Sequence, residues 1–212
     1  MMQHFLVAIA LLGAAVDAAN LRNGARRAAD GFWWDVKATD VAFPSECTAC
    51  EGNWETIPSE LSLAIGPSGD PGSPVTAPGS LKPGCYESTA AFMLTSTLSL
   101  IGTGTSGGNF VFHTPGALDT AAGSEVILTE GTDSKNVFWC IKAAVTMGAL
   151  TNFQGDVYAG AAITVGANVN IGNLKSGAAT TLGANVNVHG NLEAGAAVTL
   201  GANACIEGKI AT

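Results

Sequence analysis

Five cysteines and three histidines are the side chains in this 212-residue sequence with the most reactive chemistry. The cysteines are Cys47, Cys50, Cys85, Cys140 and Cys205, and an odd number leaves at least one thiol unpaired in a monomer. Cys47-x-x-Cys50 has the spacing of a zinc corner or of a dithiol redox pair. Zinc needs two further ligands at compatible spacing, and His4, His113 and His189 are scattered, so no metal site is expected. A redox pair calls for a βαβ context that the surrounding sequence does not provide. The simplest reading is one or two disulfides pinning an irregular region from 41 to 90, with the connectivity open. His189 could act as a general base only with a carboxylate to orient it, and no such partner is visible nearby in the sequence.

Charge narrows the choice of partner. The net charge is -8, only 12% of residues are charged, and no Arg follows Arg27, so the guanidinium groups that grip phosphates are missing from most of the chain. Nucleic acid is excluded as a partner, and with 27 Gly and 47% hydrophobic residues the surface must be built largely from neutral side chains.

Residues 5–16 (FLVAIALLGAAV) form an apolar run too short to span a bilayer, closed by Val16-Asp17-Ala18, which reads as a secretory signal peptide over 1–18. No other segment approaches the roughly 18 apolar residues of a membrane span, so the mature chain is expected to be secreted, extracellular and without a membrane partner. Residues 19–80 read as an irregular or partly helical N-terminal region: one short helix fits within 19–40, and 66–84 (GPSGDPGSPVTAPGSLKPG) is too dense in Gly, Pro and Ser for regular structure. From Cys85 onward only Pro115 remains, and apolar residues alternate with Thr, Ser and Asn at the two-residue period of strands.

The C-terminal part is an internal repeat. Lys142, Gly160, Gly177 and Gly195 open four copies, as in GAAITVGANVNIGNLKS and GAAVTLGANACIEGKIAT, with a period of 18 and one deletion in the second copy. That length, with glycine columns at Gly148, Gly166, Gly183, Gly201 and at Gly155, Gly172, Gly190, Gly208, fits one coil of a parallel β-solenoid whose glycines turn the corners. The fold class expected is mainly β, with the solenoid over 81–212.

Alternation assigns Val145/Met147, Ile163/Val165, Thr180/Leu182, Val198/Leu200, Val169/Ile171, Val186/Val188, Leu174, Leu192 and Ile210 to the interior. What remains outside forms columns: Thr146, Thr164, Thr181 and Thr199, with Ala144, Ala162, Ala179 and Ala197 two places before, and separately Asn168, Asn170, Asn185 and Asn187. Duplication and β-propensity account for a Thr column, and amide stacking for the Asn columns, without any ligand. A flat array of Thr methyls and hydroxyls beside small Ala, at the fixed pitch of stacked coils, can also template ordered water. An ice crystal surface is the ligand whose own lattice repeats in that way.

Leu81-Lys82-Pro83-Gly84-Cys85-Tyr86, the Thr/Ser/Leu run to Ile101-Gly102, Asn109-Phe110-Val111-Phe112, Gly123-Ser124-Glu125-Val126-Ile127-Leu128, Asn136-Val137-Phe138-Trp139, Phe153-Gln154-Gly155 and Ile163-Thr164-Val165 together resemble the microbial ice-binding protein family, whose fold is an irregular right-handed β-solenoid. The likeness runs over residues 79–212. It implies a secreted, non-enzymatic protein without metal or cofactor that adsorbs to ice through one flat face and inhibits growth and recrystallisation. It also implies a long helix along the solenoid and an N-terminal block of coils, which the short, Pro-rich segment before Leu81 does not clearly match, and it gives no reason for a thiol at Cys140. A monomer is expected. The rivals are a self-assembling structural solenoid, polymerising end to end through its last coil, and a hexapeptide-repeat acyltransferase, favoured by the segment Val165-Gly166-Ala167-Asn168-Val169-Asn170 but broken upstream at 85–140.

Overall fold

The computed structural model describes residues 43–50, 54–57, 80–103 and 108–212. The signal peptide read at 1–18, the helix expected within 19–40 and most of the Gly/Pro/Ser segment lie outside the described residues. Every strand pairing is parallel, and successive strands pass in turn to three sides of a β-solenoid. One side is an eight-stranded sheet: β1 (Glu55–Thr56), β3 (Gly84–Glu87), β6 (Phe110–Thr114), β9 (Val137–Ile141), β11 (Asp156–Ala159), β14 (Leu174–Ser176), β17 (Leu192–Ala194) and β20 (Ile210–Ala211). The second has six strands: β4 (Phe92–Leu94), β7 (Leu118–Thr120), β10 (Val145–Met147), β12 (Ile163–Val165), β15 (Thr180–Leu182) and β18 (Val198–Leu200). The third is made of β2 (Ser80–Leu81), β5 (Thr97–Ile101) and β8 (Glu125–Thr129), then β13 (Asn170–Ile171), β16 (Asn187–Val188) and β19 (Cys205–Ile206), joined by bridges from Asn152 to Glu125 and Asn170.

The two-residue period of the sequence becomes burial directly. β10, β12 and β15 each run buried, exposed, buried, so Val145 and Met147, Ile163 and Val165, and Thr180 and Leu182 enter the core while the Thr between them faces out. Fully burying one such aliphatic is worth roughly 1.5–3 kcal/mol, and several per coil hold the stack. Thr180 is tolerated inside because its hydroxyl meets the Ser176 hydroxyl at 2.7 Å.

The coils before the regular repeats are longer and fill their interior with rings. Tyr86, Phe112 and Trp139 occupy successive positions of the eight-stranded sheet, with Phe112 stacked on Trp139 at 4.1 Å and Phe153 at 4.9 Å from Trp139. The indole N–H donates to the Gln154 carbonyl at 3.0 Å, which satisfies the one polar atom of that ring.

Three findings depart from expectation. The glycines of the first column do not turn the corners by positive φ; the left-handed corner is held by Leu150, Asn168, Asn185 and Asn203, where Asn tolerates that conformation better than other side chains. Gly183 is required instead by close approach, since a Cβ there would sit 2.7 Å from the carbonyl carbon of Gly166 in the preceding coil. The region before residue 81 is not wholly outside the solenoid, because Glu55–Thr56 pairs with β3 and extends the sheet. Leu200 and Ile210, assigned inward, are 44% and 47% exposed, and Val198 is half-buried, because their strands are the terminal ones of their sheets among the described residues.

The disulfides are Cys47–Cys140 and Cys50–Cys85, with Cys205 free and exposed. Both members of the Cys-x-x-Cys pair therefore bond to strands, and one bridge reaches well beyond residue 90. The bridges fix helix α1 (Ser45–Thr48) against the outer side of the eight-stranded sheet. There Cys47, Cys50, Val111, Phe138, Cys140 and Tyr158 form a second apolar cluster, with Phe43 and Trp54 packed on it. Crosslinking residues 93 positions apart restricts the unfolded chain strongly and is worth several kcal/mol on a chain-entropy estimate of about 4–5 kcal/mol.

Two substitutions test the stacking. Val186→Asp puts a carboxylate at a position with no exposure and should cost several kcal/mol, at least about 3; Gly183→Ala should cost less but still lower the melting temperature measured by circular dichroism. Unchanged melting in both would show the inward register to be wrong.

Candidate functional site

The Thr column is one continuous ladder. Thr146 pairs with Thr164, Thr164 with Thr181 and Thr181 with Thr199 in the registers of β10, β12, β15 and β18, and all four are exposed. The single-residue deletion in the second copy is absorbed at the corners without shifting the ladder. Ala144, Ala162, Ala179 and Ala197 stand at the strand entrances, where their carbonyls accept from Leu118, Val145, Ile163 and Thr180 N–H at 3.1, 3.0, 3.1 and 3.0 Å. Their methyls leave the edge of the face low, and their backbone groups are committed to the stack. The row continues past Thr146 to Asp119 and Met93, both exposed. Sequence reasoning missed these two because the coils that carry them are longer than the repeat and do not align with it.

The Asn columns have a structural task. Asn185 donates to Asn168 at 3.0 Å and Asn203 to Asn185 at 3.1 Å along the left-handed corner, while Asn187 donates to Asn170 at 2.9 Å on the third side. A further amide column, Asn173 and Asn191, accepts the backbone N–H of Asn191 and Lys209 at 2.7 and 2.9 Å. These ladders add side-chain hydrogen bonds to a backbone that already joins the coils there, as the Asn168 and Asn185 N–H groups do with the Ala184 and Ala202 carbonyls.

The eight-stranded side is closed to a flat ligand. Tyr158 and Lys175 lie on its outward row yet are only 7% and 4% exposed. The Lys175 ammonium pairs with the Glu193 carboxylate at 3.0 Å. Burial pushes its pKa down to about 8 although Glu193 opposes the shift. Burial also holds the His113 imidazole below its usual value, aided by Lys142 and opposed by Glu87. The remaining histidine of the repeats corrects an expectation: His189 does have a carboxylate partner, Glu207, at 3.0 Å from Nδ1. The two are one coil apart, a distance that sequence inspection without the fold does not bring together.

This geometry defines a parallel β-solenoid with one covered side, one regular uncharged ladder and one amide-rich side. Residues 75–177 match the model of the Ice-binding-like family, so the chain is similar to the ice-binding proteins through its middle. An ice-binding protein from Nostoc is 37% identical over 91 residues, 43% of this chain and 34% of that protein. Among solved structures, a domain of ice-binding protein 1 from Shewanella frigidimarina superposes with a TM-score of 0.52 at 26% identity, covering 72% of this chain and 52% of that one. The ice-binding protein of the Antarctic ascomycete Antarctomyces psychrotrophicus gives 0.50 at 25% identity, over 73% of this chain and 60% of that one. The match spans about a third of the Nostoc protein.

The buried lysine predicts a pH dependence with a definite sign. Because its folded pKa lies below the ordinary 10.5, the unfolded chain binds more protons between about 8 and that value, so stability rises with pH through this window. In a Cys205→Ser background, the melting temperature should climb from pH 8 to roughly 9.5, short of the ordinary tyrosine range, relative to that of Lys175→Met. Parallel profiles would contradict the assignment.

Proposed function

We propose that this chain binds ice, adsorbing through the outward face of the six-stranded sheet and inhibiting ice growth and recrystallisation. The observation that carries the reading is the in-register row Thr146, Thr164, Thr181 and Thr199, exposed and uncharged along its length. Parallel coils stand about 4.7–4.9 Å apart, which sets a fixed pitch between chemically identical rungs. A crystalline ligand can engage all of them at once. Each contact is weak, but release requires that they be lost together, so the array holds where a single group would not. Ala144, Ala162, Ala179 and Ala197 keep the border of the face low enough for a plane to approach. The likeness to ice-binding proteins over residues 75–177 supports the same reading. A secreted, extracellular monomer acting on ice without enzymatic chemistry is the form of the protein that fits it.

Two variants test the face. Thr181→Tyr lifts a ring out of the plane without burying anything, so folding should persist while ice-growth inhibition falls at least several-fold. Asn187→Tyr on the third side is the matched control and should retain activity; Asn185 does not serve, because its left-handed backbone would strain any bulky residue. Loss in the control with retention in Thr181→Tyr would move the site to the amide side. Asp119→Thr should extend the ladder by one rung and raise the inhibition; a decrease would place the contact surface elsewhere.

A further inference from the structure

The third side carries a groove that the Thr face does not use. Asn152, Gln154 and Asn170 line it with His189, and Ser134 joins them from the 3-10 turn Ser134–Asn136. Ile171 and Gly172 also line it, Ile171 with almost no exposed surface because its side chain belongs to the core. No lining residue is a Lys, Arg, Asp or Glu. We propose that this groove is a second binding site, and that its ligand is a neutral, extended polysaccharide lying along the solenoid axis.

The chemistry is that of hydroxyl recognition. Each side-chain amide offers two N–H donors and a carbonyl with two lone pairs. The stack consumes only part of this: Gln154 donates to Asn152 at 3.2 Å, Asn152 to Glu125 at 2.9 Å, and Asn187 to Asn170 at 2.9 Å. What is left over is a set of mixed donors and acceptors held in place by their neighbours, which suits a ligand whose every group is both donor and acceptor. Glu207 accepts from His189 Nδ1 at 3.0 Å, since a carboxylate can only accept, so Nε2 is the ring nitrogen free to accept a ligand hydroxyl. The held amides carry orientation, as the few placed polar groups of small-molecule sites do.

Repetition selects a polymer over a single sugar. Asn152 and Asn170 are bridge partners on adjacent coils, and Asn170 pairs in turn with Asn187 one coil beyond, two residues before His189. Equivalent groups therefore recur every coil, about 4.7–4.9 Å, close to the rise per residue of an extended glycan. A polyanion is disfavoured by the chain's net charge of -8 and by a lining without Lys or Arg.

The test is affinity electrophoresis of the full chain through gels containing hydroxyethylcellulose or laminarin as neutral probes, with alginate as the anionic one. Retardation in at least one neutral gel is expected, reduced at least five-fold in apparent affinity by Asn170→Ala combined with His189→Ala, and unchanged in Thr181→Tyr. If the double variant melts early, Asn170→Asp keeps the shape and the acceptor for Asn187 while adding a charge, and should weaken retardation likewise. No retardation in either neutral gel, retardation in alginate alone, or equal retardation of every folded variant would overturn the proposal. Because the Thr face lies on another side, failure here leaves ice adsorption unaffected, and the reverse also holds.

Discussion

Parallel stacking of one coil on the next, in strict register, is the constraint on which everything else in this molecule rests. Once the backbone N–H of one coil donates to the carbonyl of its neighbour, each residue stands beside its counterpart one repeat away, as Val145 does beside Ile163 and Leu174 beside Leu192. A residue type that suits the interior at one level must then suit it at the next. The same registration lines up the outside, so a chemical choice made once in the repeat is written as a column. Glycine at 183 follows from this too: at that corner the preceding backbone comes so near that a methyl group has no room. The side-chain ladders of Asn168, Asn185 and Asn203 are a consequence as well as a reinforcement, because identical amides at coil spacing can pair along the axis.

The regular half of the fold was legible because periodicity is a local property of sequence. Thr181 outside and Leu182 inside follow from alternation, and the burial of Val186 and Val188 follows from the same count. The irregular half was legible only as a resemblance. There the coils lengthen, Asp119 and Met93 enter the Thr row without any repeat to announce them, and the interior changes from aliphatic to aromatic. Cys140 had no explanation from its neighbours, since its partner Cys47 lies 93 residues away and the bridge exists only because the N-terminal segment lies across the outer sheet. His189 and Glu207 were missed for the opposite reason: they are separated by one repeat, and only knowledge that a repeat is a single coil makes them adjacent.

The three sides of the solenoid divide the work. The eight-stranded side is spent on stability, with two disulfides, a second apolar cluster and the Lys175–Glu193 pair beneath its cover. The six-stranded side turns its Thr row outward, the face proposed above to meet ice. The third side lies between these extremes, its amides half engaged in holding coils together. A face proposed to register with a lattice must not flex, and the disulfides and second apolar cluster of the covered side brace the stack that carries it.

Ice-affinity partitioning of the purified full chain tests the central claim most directly. When ice is grown slowly from a dilute solution that also contains an inert protein of similar size, this chain should be enriched in the solid fraction while the inert protein is left in the liquid. Equal exclusion of both from the ice would contradict an ice-binding face on this solenoid.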